Sequence, residues 1–166
     1  SSLSIKELKR LNHGKLKEVG KKLRKMADYI IYDSAAGLGP EALAAIEAGD
    51  EMILVTNPEI PAVTDALKAS KVIEEFEKPI RGVIVTRVRG TRTEMPIGNV
   101  RDMLELPILG VIPEDKNMQV ALVMKDAIVH THPKSKAAKA YRSIAAKIIG
   151  INGYRENSGF FDKLFG

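Results

Sequence analysis

Four short apolar runs, at residues 29–32, 52–55, 82–85 and 108–112, punctuate this sequence. None alternates apolar with polar residues. Each therefore reads as a strand buried on both faces, not as one side of a half-solvated sheet. Between and after the runs lie stretches of helical character: 15–26, with Leu16, Val19 and Leu23 at helical spacing, then 40–48, 62–77, 97–104, 117–125 and 135–149. Pro40 suits the first turn of its helix. Strand and helix alternating at this spacing predict an α/β fold, a mostly parallel sheet flanked by helices. The expected division is one domain-sized unit over 1–150, a polar linker over 151–158 and a short amphipathic segment over 159–166.

Composition removes several function classes. A chain of 166 residues that is 45% hydrophobic suits one domain or a large piece of one. No run approaches the ~18 apolar residues that a membrane span requires. The beginning is basic and helix-like, without the apolar core of a signal peptide. There is no cysteine, so disulfides and thiol chemistry are excluded. His13, His130 and His132 without a thiol partner make a poor zinc set, although His130 and His132 would share a side if their segment were extended. The net charge is +5, much of it within 6–25, where nine Lys or Arg meet two Glu. That run reads as the solvated side of an amphipathic helix, or as a face for nucleic acid or anionic lipid.

In a parallel sheet, ligands sit beyond the carboxyl ends of the strands. The first run ends at Asp33, followed by Ser34-Ala35-Ala36-Gly37. A carboxylate there can face a phosphate-bound Mg²⁺, or serve as a cap or turn former. The glycines permit a loop that senses a γ-phosphate. The second run leads into Thr56-Asn57-Pro58-Glu59, a turn before a helix that carries Asp65. The third ends at Thr86 and Arg87, able to hydrogen-bond a base edge and stack on a ring, or to form a surface turn. The fourth ends at Pro113, Glu114 and Asp115, whose backbone can edge an adenine, or which form an ordinary turn and N-cap.

Taken together, Asp33-Ser34-Ala35-Ala36-Gly37, Thr56-Asn57-Pro58-Glu59, Thr86-Arg87, Gly110-Val111-Ile112-Pro113-Glu114-Asp115 and Ala140-Tyr141-Arg142-Ser143-Ile144-Ala145 resemble the MinD group of the MinD/ParA deviant P-loop ATPases. The resemblance runs from about residue 26 to the end. It implies ATP and Mg²⁺ as cofactors. It makes Asp33 the Walker B carboxylate at the metal, and Gly37 part of the phosphate-responsive loop. Thr86, Arg87, Pro113, Glu114 and Asp115 become the adenine border. Asn57, Glu59 and Asp65 fall on the dimer and partner side, where regulators similar to MinC and MinE would dock. Ala35 stands where the family has Pro, and Thr86 where many relatives have Asn. The family's phosphate loop, G-K-G-G-x-G-K-[ST], is absent from this sequence; Gly20-Lys21-Lys22 lies in a charged helix with no strand before it. The chain is therefore expected to be the carboxyl-terminal part of such an ATPase, inactive alone, with an exposed apolar sheet edge.

Three of the four phenylalanines fall in the last seven residues. Phe160, Phe161, Leu164 and Phe165 would share one helical face. Such a tail packs back on its own domain or docks on a membrane; within the resemblance it is a membrane-docking tail. A dimer would join two such tails, which couples ATP-dependent dimerisation to binding at the cytoplasmic face of the membrane. The competing expectations are a ParA-type DNA segregation ATPase, favoured slightly by the basic beginning, and a noncatalytic interaction module, favoured by the absent phosphate loop.

Overall fold

The computed structural model describes residues 14–151. In chain order the elements are α1 (Gly14–Leu23), α2 (Pro40–Ala48), β1 (Met52–Thr56), α3 (Ile60–Glu75), β2 (Ile80–Val88), α4 (Ile97–Leu104), β3 (Ile108–Pro113), α5 (Asn117–Val123), α6 (Ile128–Thr131) and α7 (Lys136–Ile148). The strands form one parallel sheet in the order β1-β2-β3. A helix connects each consecutive pair, as parallel pairing requires. The expected α/β architecture is thus observed.

Strand register sorts the side chains onto two faces. Leu54, Val83 and Ile108 are in register, and so are Val55, Ile84 and Gly110. Leu54, Val83 and Val85 join Leu43 of α2, Val63 and Ile73 of α3, and Val100 and Leu104 of α4 in the larger core. Val63, Val83, Val85 and Val100 are wholly buried. Full burial of a side chain of this size stabilises by about 1.5–3 kcal/mol. On the opposite face, Ile84 and Ile112 pack with Ile128, Ala137, Ala138 and Ile144 in a second core. Helix α7 starts cleanly because the Ser135 hydroxyl accepts the Ala138 N–H at 3.1 Å.

That second core stops short of β1. Val55 is 63% exposed, and β1 has a strand neighbour on one side only. The exposed apolar edge expected from the sequence is therefore present among the described residues.

One expectation fails. Residues 29–32 form no strand: Tyr29 is 60% and Ile31 90% exposed, and the Tyr32 hydroxyl lies against Gly20 of α1. A strand needs neighbours to take up its N–H and C=O groups. No described strand flanks this run, so its apolar residues have neither ladder nor cover. The His130–His132 segment is not extended either. His130 lies on the short helix α6, so residues two apart point to different sides and the shared-side metal geometry disappears. Instead His130 Nδ1 meets Asp126 at 3.0 Å, and His132 Nδ1 meets the Thr131 hydroxyl at 3.0 Å.

Helix α7 approaches the sheet over Gly110. A Cβ there would sit 2.3 Å from Ile144 Cγ1. Gly110→Ala is therefore expected to push α7 off β3 and cost about 1–3 kcal/mol, read as a lower urea midpoint with an unchanged slope. A midpoint equal to the parent's would mean that this contact does not set the packing of α7.

Candidate functional site

The carboxyl ends of the three strands lie along one edge of the sheet, and short polar links tie them together. The Thr86 hydroxyl donates to the Thr56 carbonyl at 3.2 Å, which joins the ends of β2 and β1. The Glu114 N–H donates to the Val88 carbonyl at 2.9 Å, which joins β2 to the exit of β3. The Met95 N–H donates to the Pro58 carbonyl at 2.8 Å, which ties the β2–α4 loop to the turn after β1. Arg87 Nε lies 3.8 Å from Glu114, and Arg89 lies 3.8 Å from Glu59. These exposed pairs orient the side chains more than they stabilise the fold.

Thr86 and Arg87 do not simply end a strand. Val85 pairs with Val111 but Val88 pairs with Pro113, so β2 carries one residue more than β3 here. That is a β-bulge, the device by which a strand re-aims a side chain. Arg87 takes φ 58°, a left-handed conformation unusual for a residue with a Cβ. The surface turn anticipated as an alternative is not formed: β2 runs on to Val88, and the bulge stands in its place.

The loop beyond it is held by Glu94, whose side chain is only 6% exposed. Its carboxylate accepts the N–H groups of Arg89 (3.0 Å), Gly90 (2.7 Å) and Thr91 (3.3 Å), and Arg89 Nε at 3.1 Å. Burial pushes this carboxyl up, but the backbone and side-chain donors of Arg89, Gly90 and Thr91 together hold it below its ordinary value. The sequence alone did not single out Glu94. Its only sign there is an acid closing the polar stretch Gly90-Thr91-Arg92-Thr93, and nothing in that pattern marks it as buried.

Asp115 does the capping work that the sequence allowed as its alternative. It accepts the Asn117 N–H at 2.9 Å and the Ala137 N–H at 3.3 Å, which binds the exit of β3 to the starts of α5 and α7. The Asn117 N–H, ahead of the cost of burial, holds the Asp115 carboxyl below its ordinary range.

The structure thus gathers Asn57, Glu59, Thr86, Arg87, Pro113, Glu114 and Asp115 along one edge. Asn57 Oδ1 is buried with no hydrogen-bond partner among the described residues. Asp33 and Gly37 lie in the irregular segment before α2. Asp33 is exposed and unpaired among the described residues, and Gly37 takes φ 85°. Asp65 sits on the outer side of α3 in an exposed pair with Lys68 at 2.9 Å. Phe160, Phe161, Leu164 and Phe165, like most of the 151–158 linker, fall outside the described residues. Among those residues no helix is long and apolar enough to cross a membrane, and no group of three or more His, Asp or Glu suited to a metal occurs.

Residues 15–154 match the family model described as 4Fe-4S iron sulfur cluster binding proteins, NifH/frxC family. An uncharacterized ATP-binding protein of Methanocaldococcus jannaschii is 37% identical over 150 residues, 90% of this chain and 57% of that protein. The septum site-determining protein MinD of Neisseria meningitidis is 31% identical over 155 residues, 84% of this chain and 57% of that protein. The structure of MinD complexed with Mg-ADP from Pyrococcus horikoshii superposes with a TM-score of 0.78 at 32% identity, covering 92% of this chain and 63% of that one. This chain belongs to the MinD/ParA-type ATPases of the NifH/frxC family. It spans less than two thirds of the length of these relatives. The iron–sulfur cluster in the family model's description does not fit this chain. Such clusters hang on cysteine thiolates, and the sequence has none to offer.

Two outcomes follow for this edge. Acidification through the interval below the ordinary glutamate value of 4.5 protonates Glu94 in the unfolded chain before the folded one. Stability is therefore expected to fall as the pH drops through that interval, less steeply in Glu94→Gln, when urea midpoints are measured against pH. Equal slopes would remove Glu94 from the account. Arg87→Gly is expected to keep or raise stability by up to about 1 kcal/mol, and Arg87→Val to lower it by about 1–3 kcal/mol, because only glycine adopts this φ without cost. A valine variant as stable as the parent would contradict the bulge geometry.

Proposed function

We propose that this chain is the carboxyl-terminal part of a MinD-like switch that binds Mg-ATP, dimerises, docks on the cytoplasmic face of the membrane and positions the division septum. The supporting observation is the carboxyl edge: a bulge that re-aims Thr86 and Arg87, pinned to Thr56 on one side and Glu114 on the other, beside the unpaired buried acceptor of Asn57.

These groups fit the base end of a nucleotide. Thr86 offers a hydroxyl, Arg87 a planar cation, and Pro113 and Glu114 a main-chain border, with Asp115 holding that border still. An orphaned buried acceptor costs about 1–3 kcal/mol, so Asn57 is suited to receive a donor from a ligand or from a partner subunit. The phosphate end needs a cradle of N–H groups and lysines, and this sequence has no G-K-G-G-x-G-K-[ST] motif to make one. Bound Mg-ATP supplies a hydrolysable γ-phosphate that distinguishes two states of the protein. In this reading the Asp33 carboxylate holds the metal directly or through water, and Gly37 gives its loop the freedom to follow the phosphate. Asn57, Glu59 and Asp65 face the second subunit or a regulator of the MinC or MinE kind. Phe160, Phe161, Leu164 and Phe165 form the membrane tail.

The DNA-binding alternative rests on α1 and the turn after it, where Lys17, Lys21, Lys22 and Lys25 are exposed. A chimera tests the MinD-like reading: the amino-terminal segment of the Pyrococcus horikoshii MinD fused ahead of residue 26. It is expected to hydrolyse ATP, and Asp33→Asn to lower the rate at least about 100-fold. Removing residues 159–166 should leave hydrolysis intact and cut ATP-dependent sedimentation with anionic vesicles at least about tenfold. Hydrolysis indifferent to Asp33→Asn, or sedimentation indifferent to the deletion, would sink the proposal. Binding of the 166-residue chain to duplex DNA that is lost when the α1 lysines become glutamine would favour the ParA-type reading.

A further inference from the structure

Helix α5 turns apolar side chains toward water. Ala121 is 2% exposed and, with Met118, belongs to the second core. The outward positions are Val120, Leu122 and Val123, with Met124 just past the helix end, at 46%, 72%, 84% and 59% exposure. Isolated exposed aliphatics are ordinary, but several adjacent ones on a single turn mark a surface that something covers.

The surroundings narrow what covers it. Lys116 precedes α5, Lys125 follows Met124, and Lys134 and Lys136 lead into α7. All four are exposed, and none of their side chains takes part in an ion pair among the described residues. Asp115 accepts from Asn117 and Ala137, so the starts of α5 and α7 lie side by side and bring Lys116 and Lys136 to one end. Between 116 and 136 the single carboxylate is Asp126, already engaged by His130 and by the Ala127 N–H. The same stretch has no arginine and no Phe, Tyr or Trp. Protein interfaces are enriched in those residues and depleted in lysine. Single-stranded nucleic acid needs aromatic rings for stacking. Aliphatic side chains collared by unpaired lysines match an anionic lipid interface, where the former enter the acyl boundary and the latter meet headgroup phosphates.

We propose that the α5 ridge (Val120, Leu122, Val123 and Met124) with the collar of Lys116, Lys125, Lys134 and Lys136 is a membrane-docking surface for anionic lipid. It adds a second contact to the one proposed for the tail and does not depend on it.

The sequence has no tryptophan, so Val123→Trp in the full 166-residue chain gives a single fluorescent reporter. With phosphatidylglycerol-containing vesicles the emission should move to shorter wavelength and be quenched by brominated acyl chains; with phosphatidylcholine alone it should not. Lys134→Glu with Lys136→Glu in that background should weaken the partition at least about tenfold. The same reporter in a chain ending at Ser158 should still shift, at higher lipid concentration. If the full chain sediments with vesicles while the indole keeps a water-like emission, the ridge does not dock and the tail alone carries the binding. An emission already shifted without lipid would mean that another part of the chain, or a second copy, covers the ridge, and would overturn the lipid assignment.

Discussion

Among the described strands, β2 alone has a hydrogen-bonded neighbour on both sides. Its parallel pairing with β1 and with β3 fixes the direction of all three, and so decides that their carboxyl ends share an edge. Because β2 outruns β1, its last residues are free to bulge, and Thr86 and Arg87 turn at the point where the ladder with β1 has stopped. If β2 slipped by one residue, Val83 and Val85 would leave the larger core, which is the cost that keeps the register. The position of the candidate site is thus inherited from the burial of two valines.

The polar groups along this edge divide into those already spent and those still available. Asp115 uses both oxygens on backbone N–H groups, and Glu94 is consumed by its own loop. Their depressed pKa values reflect that structural work. What is left among the described residues is the side-chain oxygen Oδ1 of Asn57, buried without a partner, and the Arg87 guanidinium, which makes a long contact with Glu114. A site that fixes its scaffold with some carboxylates and leaves other groups open is pre-organised for a ligand or partner.

Much of this was legible in the sequence because it depends on local pattern. Unbroken apolar runs gave β1, β2 and β3, and the helices beginning at Pro40 and Ile97 appear at the expected bounds. Turn chemistry pointed to Pro113 and Asp115, though it left open whether Asp115 would face a ligand or cap a helix. The run at 29–32 misled for a physical reason. Its composition specifies burial on two faces, and burial requires neighbours that the described residues do not supply. The bulge at Arg87 was hidden because one extra residue in a strand leaves no compositional trace. Glu94 was hidden because its burial comes from a loop folding around it. The exposed ridge on α5 reads in sequence as an ordinary helix, and only the second core reveals which of its sides is left facing water.

The account stands on the claim that the carboxyl edge is where the base of a nucleotide binds. The most direct measurement is amide chemical-shift mapping on the isotope-labelled chimera as Mg-ADP is added. The account predicts that the largest shifts fall on Asn57, Thr86, Arg87 and Glu114, with α3 and α5 little changed. Saturable binding that leaves those four amides where they were would contradict it.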